Sequence, residues 1–278
     1  MFLRLTLATA LALSAGTGSA QTDLSTKVDQ LFETMAFPEL LDVMRTEGID
    51  YGMQVGEDLF PDRADADWRE AVTTIYDPAK MSEVVKTAFA DSLAMQNADV
   101  GEIIAFFDSE PGRTFIALEI SARMALLDDA VEEASKEAAA IEAIDETERF
   151  QLVKTFVETN DLVETNVVGA LNANYAFYTG LMDGGGFGDD LSEEQILSDV
   201  WSQEAEIRSS TSEWVYSFLL MAYQPASDAE LEAYIAFSQS EAGEDLNNAL
   251  FAAFDPMFAD ISRALGLASS QFMAGEEL

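Results

Sequence analysis

Neither cysteine nor histidine occurs anywhere in the 278 residues. Their absence excludes disulfides, thiol redox chemistry, His- or Cys-ligated zinc and copper, and both Ser-His-Asp and Cys-His nucleophilic catalysis. Basic side chains are scarce as well. Against 52 Asp+Glu stand 14 Lys+Arg, leaving a net charge of −38. That balance opposes nucleic acid and anionic lipid surfaces as partners. No apolar run reaches the ~20 residues that a membrane-spanning helix needs. What is present is ample core material: AVILMFWYC residues make up 49% of the chain and Phe alone contributes 18. Such a chain folds. The chemistry left to it is that of carboxylates, hydroxyls or oxygen-ligated metals, or none, and no cofactor is expected.

Met1–Ala20 has the pattern of a secretory signal. Arg4 supplies a minimal basic start, Leu5–Ala15 an apolar stretch, and Gly18-Ser19-Ala20 the small residues that signal peptidase requires. Cleavage after Ala20 and a periplasmic location are the expectation.

Beyond Ala20 the apolar spacing is close to 3.6, and sustained period-2 alternation is missing, so an all-α fold is expected. Helix starts are written into the sequence. Asp77-Pro78 places an acceptor at an N-cap and a proline at the first helical position. Ser227 with Glu230, Ser192 with Gln195 and Ser210 with Glu213 have capping-box spacing. Phe37-Pro38 opens another helix. The stripe Ile116, Ile120, Met124, Leu127, Val131, Ala134, Ala138, Ile141 predicts one long amphipathic helix, with Asp128, Asp129, Glu132, Glu133 and Glu137 on its solvated face. Trp68, Trp201 and Trp214 lie on apolar stripes and are expected in the core.

Self-comparison reveals an internal repeat. Asn97–Phe115 aligns without gaps on Asp228–Leu246, pairing Ile104 with Ile235, Ala105 with Ala236, Phe106 with Phe237, Ser109 with Ser240 and Gly112 with Gly243. Upstream, Trp68 falls on Trp201, Asp77 on Ser210, and Glu39-Leu40-Leu41 on Asp161-Leu162-Val163. Two related helical halves are expected, 21–145 and 146–278, joined near Asp145–Glu148. The shared Ile-Ala-Phe-x-x-Ser-x-x-Gly has a mechanical meaning. Ser109 and Ser240 cap the following helices, Phe106 and Phe237 anchor the preceding ones, and Gly112 and Gly243 permit close helix approach. A catalytic role for either serine would need a base, and no His exists to supply one.

Asp99–Gly112 and Glu230–Gly243 resemble the motif of the bacterial exported proteins grouped as domain-of-unknown-function 2059. The resemblance spans about fifty residues per half and implies a helical, mostly periplasmic protein with no assigned activity. This chain departs from it by carrying the motif twice, by Phe107 and Ser238 where Tyr is commoner, and by its acidity.

Other constellations fail on composition or spacing. Gly184–Asp190 holds a single Gly-Gly-x-Gly-x-Asp unit, where calcium-binding β-rolls need stacked copies, and is expected to be a flexible insertion. Asp62, Asp65 and Asp67 lack the glycine and glutamate of an EF-hand. Gly180-Leu181-Met182 is similar to a lytic transglycosylase segment, but Asp183 stands where Gln should follow and no Glu-Ser dipeptide occurs. The leading expectation is therefore a soluble, non-enzymatic periplasmic module that binds a protein, a peptide or an apolar ligand, with a groove between its halves. A periplasmic glycan-cleaving enzyme using a single Glu is the alternative.

Overall fold

Left-handed backbone at two non-glycine residues sets the first corner of each half of the chain. Ala36 (φ 51°) ends α1, Ala15–Thr34, and starts α2, Phe37–Leu59; Asp161 (φ 50°) does the same between α8, Glu148–Thr159, and α9, Leu162–Asp183. These helices belong to a computed structural model that describes residues 15–61, 66–186 and 192–275. Met1–Ser14 lie outside the described residues, and Ala15–Ala20 form the beginning of α1.

Between the corners run α3, Ala66–Ile75; α4, Pro78–Gln96; α5, Val100–Phe107; α6, Glu110–Ala125; and α7, Asp129–Asp145. After α9 come α10, Glu193–Ser202; α11, Glu204–Tyr223; α12, Asp228–Ser238; and α13, Glu241–Ala274. The described residues contain helices and turns and no strand, so the fold is all-α. Among the described residues no helix is long and apolar enough to cross a membrane.

Several starts follow the sequence pattern. Asp77 accepts a hydrogen bond from Lys80 N ahead of Pro78, and Ser192–Gln195 and Ser227–Glu230 form reciprocal capping boxes. Ser210 does not cap. It sits inside α11, where its hydroxyl donates to Ile207 O, because α11 already starts at Glu204.

The single long helix expected over Ile116–Ile141 is two helices. Leu126 to Asp128 form a break, and Asp128 caps α7 by accepting from Ala130 N. Nor does the apolar stripe face the core along its length: Ile116 packs against it, but Met124, Leu127 and Ile141 are exposed, and α7 is buried instead through Ser135 and Ala139. Helix α7 lies against α11. In α13, by contrast, the chain stays helical through Pro256, held by buried Ala253, Met257 and Ile261 on either side. Tertiary burial outweighs the intrinsic cost of an interior proline.

Packing partners recur in the two parts of the chain. Helix α1 packs on α5 as α8 packs on α12, α2 on α3 as α9 on α10, and α5 on α6 as α12 on α13. Crosswise, α4 lies on α13 and α11 on α6. The main hydrophobic core consequently runs through both sides of the Asp145–Glu148 joint, from Phe37 and Phe89 to Tyr223 and Leu246. Residues 21–145 and 146–278 share that core and are not separate globules.

Glycine decides the contact of α2 with α3. Gly48, Gly52 and Gly56 line one face of α2, where an added Cβ would fall within 2.6 Å of Tyr76, Val72 or Trp68 respectively. Trp68 is fully buried against Gly56 and donates its indole N–H to Gly52 O at 2.9 Å. Trp201, by contrast, is 58% exposed, and the buried face of α10 is Ile196 and Val200. Those two residues share the i, i+4 spacing of Trp68 and Val72, the buried residues of α3, so the two tryptophans differ in burial. The run Gly184–Gly186 begins as a helix stop and not as a free insertion: Gly185 (φ 80°) donates to Met182 O and Gly186 to Leu181 O, a Schellman closure of α9. Phe187–Leu191 lie outside the described residues, as do Asp62 and Asp65.

Candidate functional site

The repeated motif forms two turns of the same geometry. Ser109 (φ −73°, ψ 165°) accepts from Gly112 N and donates to Phe106 O; Ser240 (φ −81°, ψ 160°) accepts from Gly243 N and donates to Phe237 O. A Cβ on Gly112 would lie 2.3 Å from Phe106 O and 2.6 Å from the Phe107 Cα, and one on Gly243 2.1 Å from Phe237 O and 2.7 Å from the Ser238 Cα. Both glycines therefore let a helix start directly against the turn before it. Phe106 and Phe237 stack on each other, ring centroids 4.0 Å apart and nearly parallel. Ala105 and Ala236 are exposed and take no part in this contact. Removing either cap hydroxyl is expected to cost about 1 kcal/mol; urea unfolding of Ser109→Ala and Ser240→Ala measures it.

One step past the stacked phenylalanines the turns differ. Phe107 is fully buried and meets Phe106 and Phe237 edge-on. Ser238, in the same position of the second turn, is buried but lines a cavity of about 230 Å³. The corner residues differ in the same way. Met35, before the left-handed Ala36, is a core residue, whereas Asn160, before the left-handed Asp161, walls the cavity. Large apolar side chains fill the first set of positions; smaller or polar ones leave the second set open.

Elements from both sides of the joint line the cavity, which opens to solvent. Helix α6 contributes Glu119 and Arg123, α11 contributes Trp214, Phe218 and Tyr223, α12 contributes Tyr234, and α13 contributes Asn247. Trp214 and Phe218 stack at 5.1 Å with near-parallel planes. Arg123 makes a bidentate pair with Glu47 of α2, at 2.7 and 2.8 Å, and its guanidinium lies 5.7 Å from the centre of the Trp214 ring. Asn160 and Asn247 are tied into the wall: Asn160 donates to Phe156 O and Asn247 to Asn160 O.

Glu119 is the acidic residue of this lining. Tyr223 donates its hydroxyl to Glu119 Oε1 at 2.7 Å, and Tyr234 also hydrogen-bonds the carboxyl. Burial pushes the Glu119 carboxyl up to about 7, outweighing the two tyrosine hydroxyls that favour its ionised form. The same burial, reinforced by Glu119, holds Tyr223 and Tyr234 well above the usual phenol range. Trp214 is the one tryptophan of the three that meets the cavity. Among the described residues no cluster of three or more acidic side chains is arranged to hold a metal ion.

No family model, curated protein or solved structure matches this chain. The geometry of the cavity is what bears on function.

Neither Glu119 nor its tyrosines stood out in the sequence. Glu119 is one of 52 acidic residues, and Tyr223 and Tyr234 belong to other helices brought to it by the crosswise packing of α11 and α12 on α6. The Phe107/Ser238 exchange within the repeat was the one legible signal.

Proposed function

We propose that this protein is a non-catalytic binding module, soluble and exported to the periplasm behind a signal peptide cleaved after Ala20, whose ligand site is the cavity beside Ser238. Two related halves, 21–145 and 146–278, build it, in line with the motif resemblance, and nucleic acid is not among its partners. The observation that carries the reading is the vacancy itself: the second motif places Ser238 where the first places a buried phenyl ring. A stability-optimised core would fill such a space, since each buried methylene contributes ~0.8 kcal/mol and voids forfeit contacts. Keeping it open, walled by aromatic side chains and one carboxyl, suits a small ligand with an apolar body.

Ser238→Phe tests the assignment. Filling the cavity is expected to raise stability by about 1 kcal/mol, or roughly 3 °C in Tm. Millimolar 2-phenylethanol, a neutral probe of suitable shape, should raise the Tm of the native protein and leave that of Ser238→Phe unmoved. A variant that still responds to the alcohol would place binding elsewhere.

A second reading is favoured by one observation. A carboxyl that stays protonated close to neutrality is what a general acid requires, and Glu119 is such a group. Under that reading the protein cleaves glycans with a single Glu. Turnover of peptidoglycan that disappears in Glu119→Gln would establish it in place of the binding module.

A further inference from the structure

Building on the cavity beside Ser238 as the ligand site, we propose that it takes an organic cation, with an ammonium group seated against the Glu119 carboxylate and an apolar body packed on the stacked Trp214 and Phe218 rings. The case starts from an unbalanced charge. Glu119 is enclosed on α6 with Arg123 of the same helix as the basic side chain of the lining, and Arg123 is already engaged in its bidentate pair with Glu47. From α11 the group facing Glu119 is Tyr223 and from α12 it is Tyr234, both neutral. The walls supplied by α8, α9 and α13 include Phe156, Asn160, Asn166 and Asn247 and carry no charge. Two tyrosine hydroxyls leave acceptor positions free on a carboxylate, which accepts up to about four hydrogen bonds. A cationic ligand supplies the counter-charge that the protein withholds.

The rest of the site fits the same class. The stacked Trp214 and Phe218 rings give the apolar body an aromatic surface to pack on, and the guanidinium already over Trp214 is that of Arg123, tied to Glu47. A net charge of −38 draws cations toward the protein and repels anions, so an anionic ligand would meet both a hostile field and a buried acid. A neutral apolar ligand could fill the space but would do nothing for the carboxylate.

Proton linkage makes the class measurable. To seat a cation Glu119 must be ionised, so cation affinity rises with pH until the carboxyl has fully titrated, while the affinity of a neutral ligand does not depend on that step. The probes are phenethylammonium and its neutral counterpart 2-phenylethanol. Calorimetric titration should be run in roughly half-molar NaCl, which screens general attraction to the acidic surface. At about pH 8 the ammonium should bind the native protein at least about tenfold tighter than the alcohol. At about pH 5.5 its affinity should fall about thirtyfold, the change in ionised fraction for a group titrating at about 7. In Glu119→Gln the two probes should bind within about twofold of each other at both pH values. If the ammonium keeps its advantage in Glu119→Gln, or has none in the native protein while the alcohol still binds and is lost in Ser238→Phe, the cation assignment falls and the cavity remains the binding site. If neither probe binds the native protein at millimolar concentration, both fall.

Discussion

Gly266→Ala is expected to destabilise the protein by about 3 kcal/mol or more, at the upper end of the cost of overpacking. Helices α9 and α13 cross backbone to backbone. A Cβ on Gly266 would lie 2.0 Å from Phe177 O and 2.9 Å from Leu181 N; one on Gly180 would lie 2.1 Å from Arg263 O and 2.9 Å from Leu267 N. Each glycine thus accommodates the main chain of the opposite helix. Relief cannot come from a rotamer change, because the atoms in the way are peptide groups that already belong to helical hydrogen-bond ladders. The helices would have to separate, and α13 would lose the alignment of Leu265, Ala268 and Phe272 with the core. Gly169→Ala supplies the internal comparison. It lies on α9 as well, where the nearest atom to an added Cβ is Asp255 Oδ1 at 3.8 Å, an ordinary contact. Intrinsic helix propensity favours alanine by ~1 kcal/mol at both positions. Gly169→Ala should therefore hold or raise the Tm, while Gly266→Ala should lower it by roughly 6–12 °C. Equal behaviour of the two variants in thermal unfolding would show that the crossing tolerates a methyl group.

Lowering the pH from about 8 to about 5 is expected to stabilise the fold, with Glu119 as the principal cause. The carboxyl is raised from 4.5 to about 7 by burial, so between those values the folded chain holds a proton that the unfolded chain has released. Stability then falls as pH rises through that window and levels off above about 7. The shift corresponds to about 3 kcal/mol, an order-of-magnitude value. Glu164 and Glu230 work in the other direction. Arg208 beside Glu164 and the Ser227 cap on Glu230 hold these carboxyls below the usual range, so any stability they bring is lost only as pH drops below about 4.5. Denaturant unfolding across the pH range should show a maximum near pH 5, and Glu119→Gln should flatten the fall toward pH 8. An unchanged slope in Glu119→Gln would assign the effect to repulsion among the exposed acids.

Local chemistry explains why much of the fold could be read before any coordinates. Asp77-Pro78, Ser192–Gln195, Ser227–Glu230 and the two Ser-x-x-Gly turns are satisfied within one turn of helix, so their geometry depends on residues three apart and on nothing distant. Ser210 has the same spacing and fails, because a helix already in progress from Glu204 leaves no free N–H groups for it to cap. The stripe from Ile116 to Ile141 fails for a different reason. Periodicity identifies a face that can be buried, but whether a partner covers it depends on the rest of the chain, and α7 presents Ser135 and Ala139 to α11 instead. The two motif turns make the same hydrogen bonds, whereas Trp68 and Trp201 differ in burial. Trp68 needs the space left by Gly56 and the acceptor Gly52 O, whereas Trp201 is exposed.

Composition and local pattern alone determined the helical class, most of the helix starts, the two matching turns, and the exclusion of His- and Cys-based chemistry. These are properties of neighbouring residues and of counts. Tertiary structure decided which faces are buried, the backbone crossing at Gly180 and Gly266, and the gathering of Glu119, Tyr223, Tyr234 and Trp214 around one cavity. The physical reason is that burial belongs to pairs of helices: a carboxyl becomes distinct from 51 others only when distant segments exclude water from it.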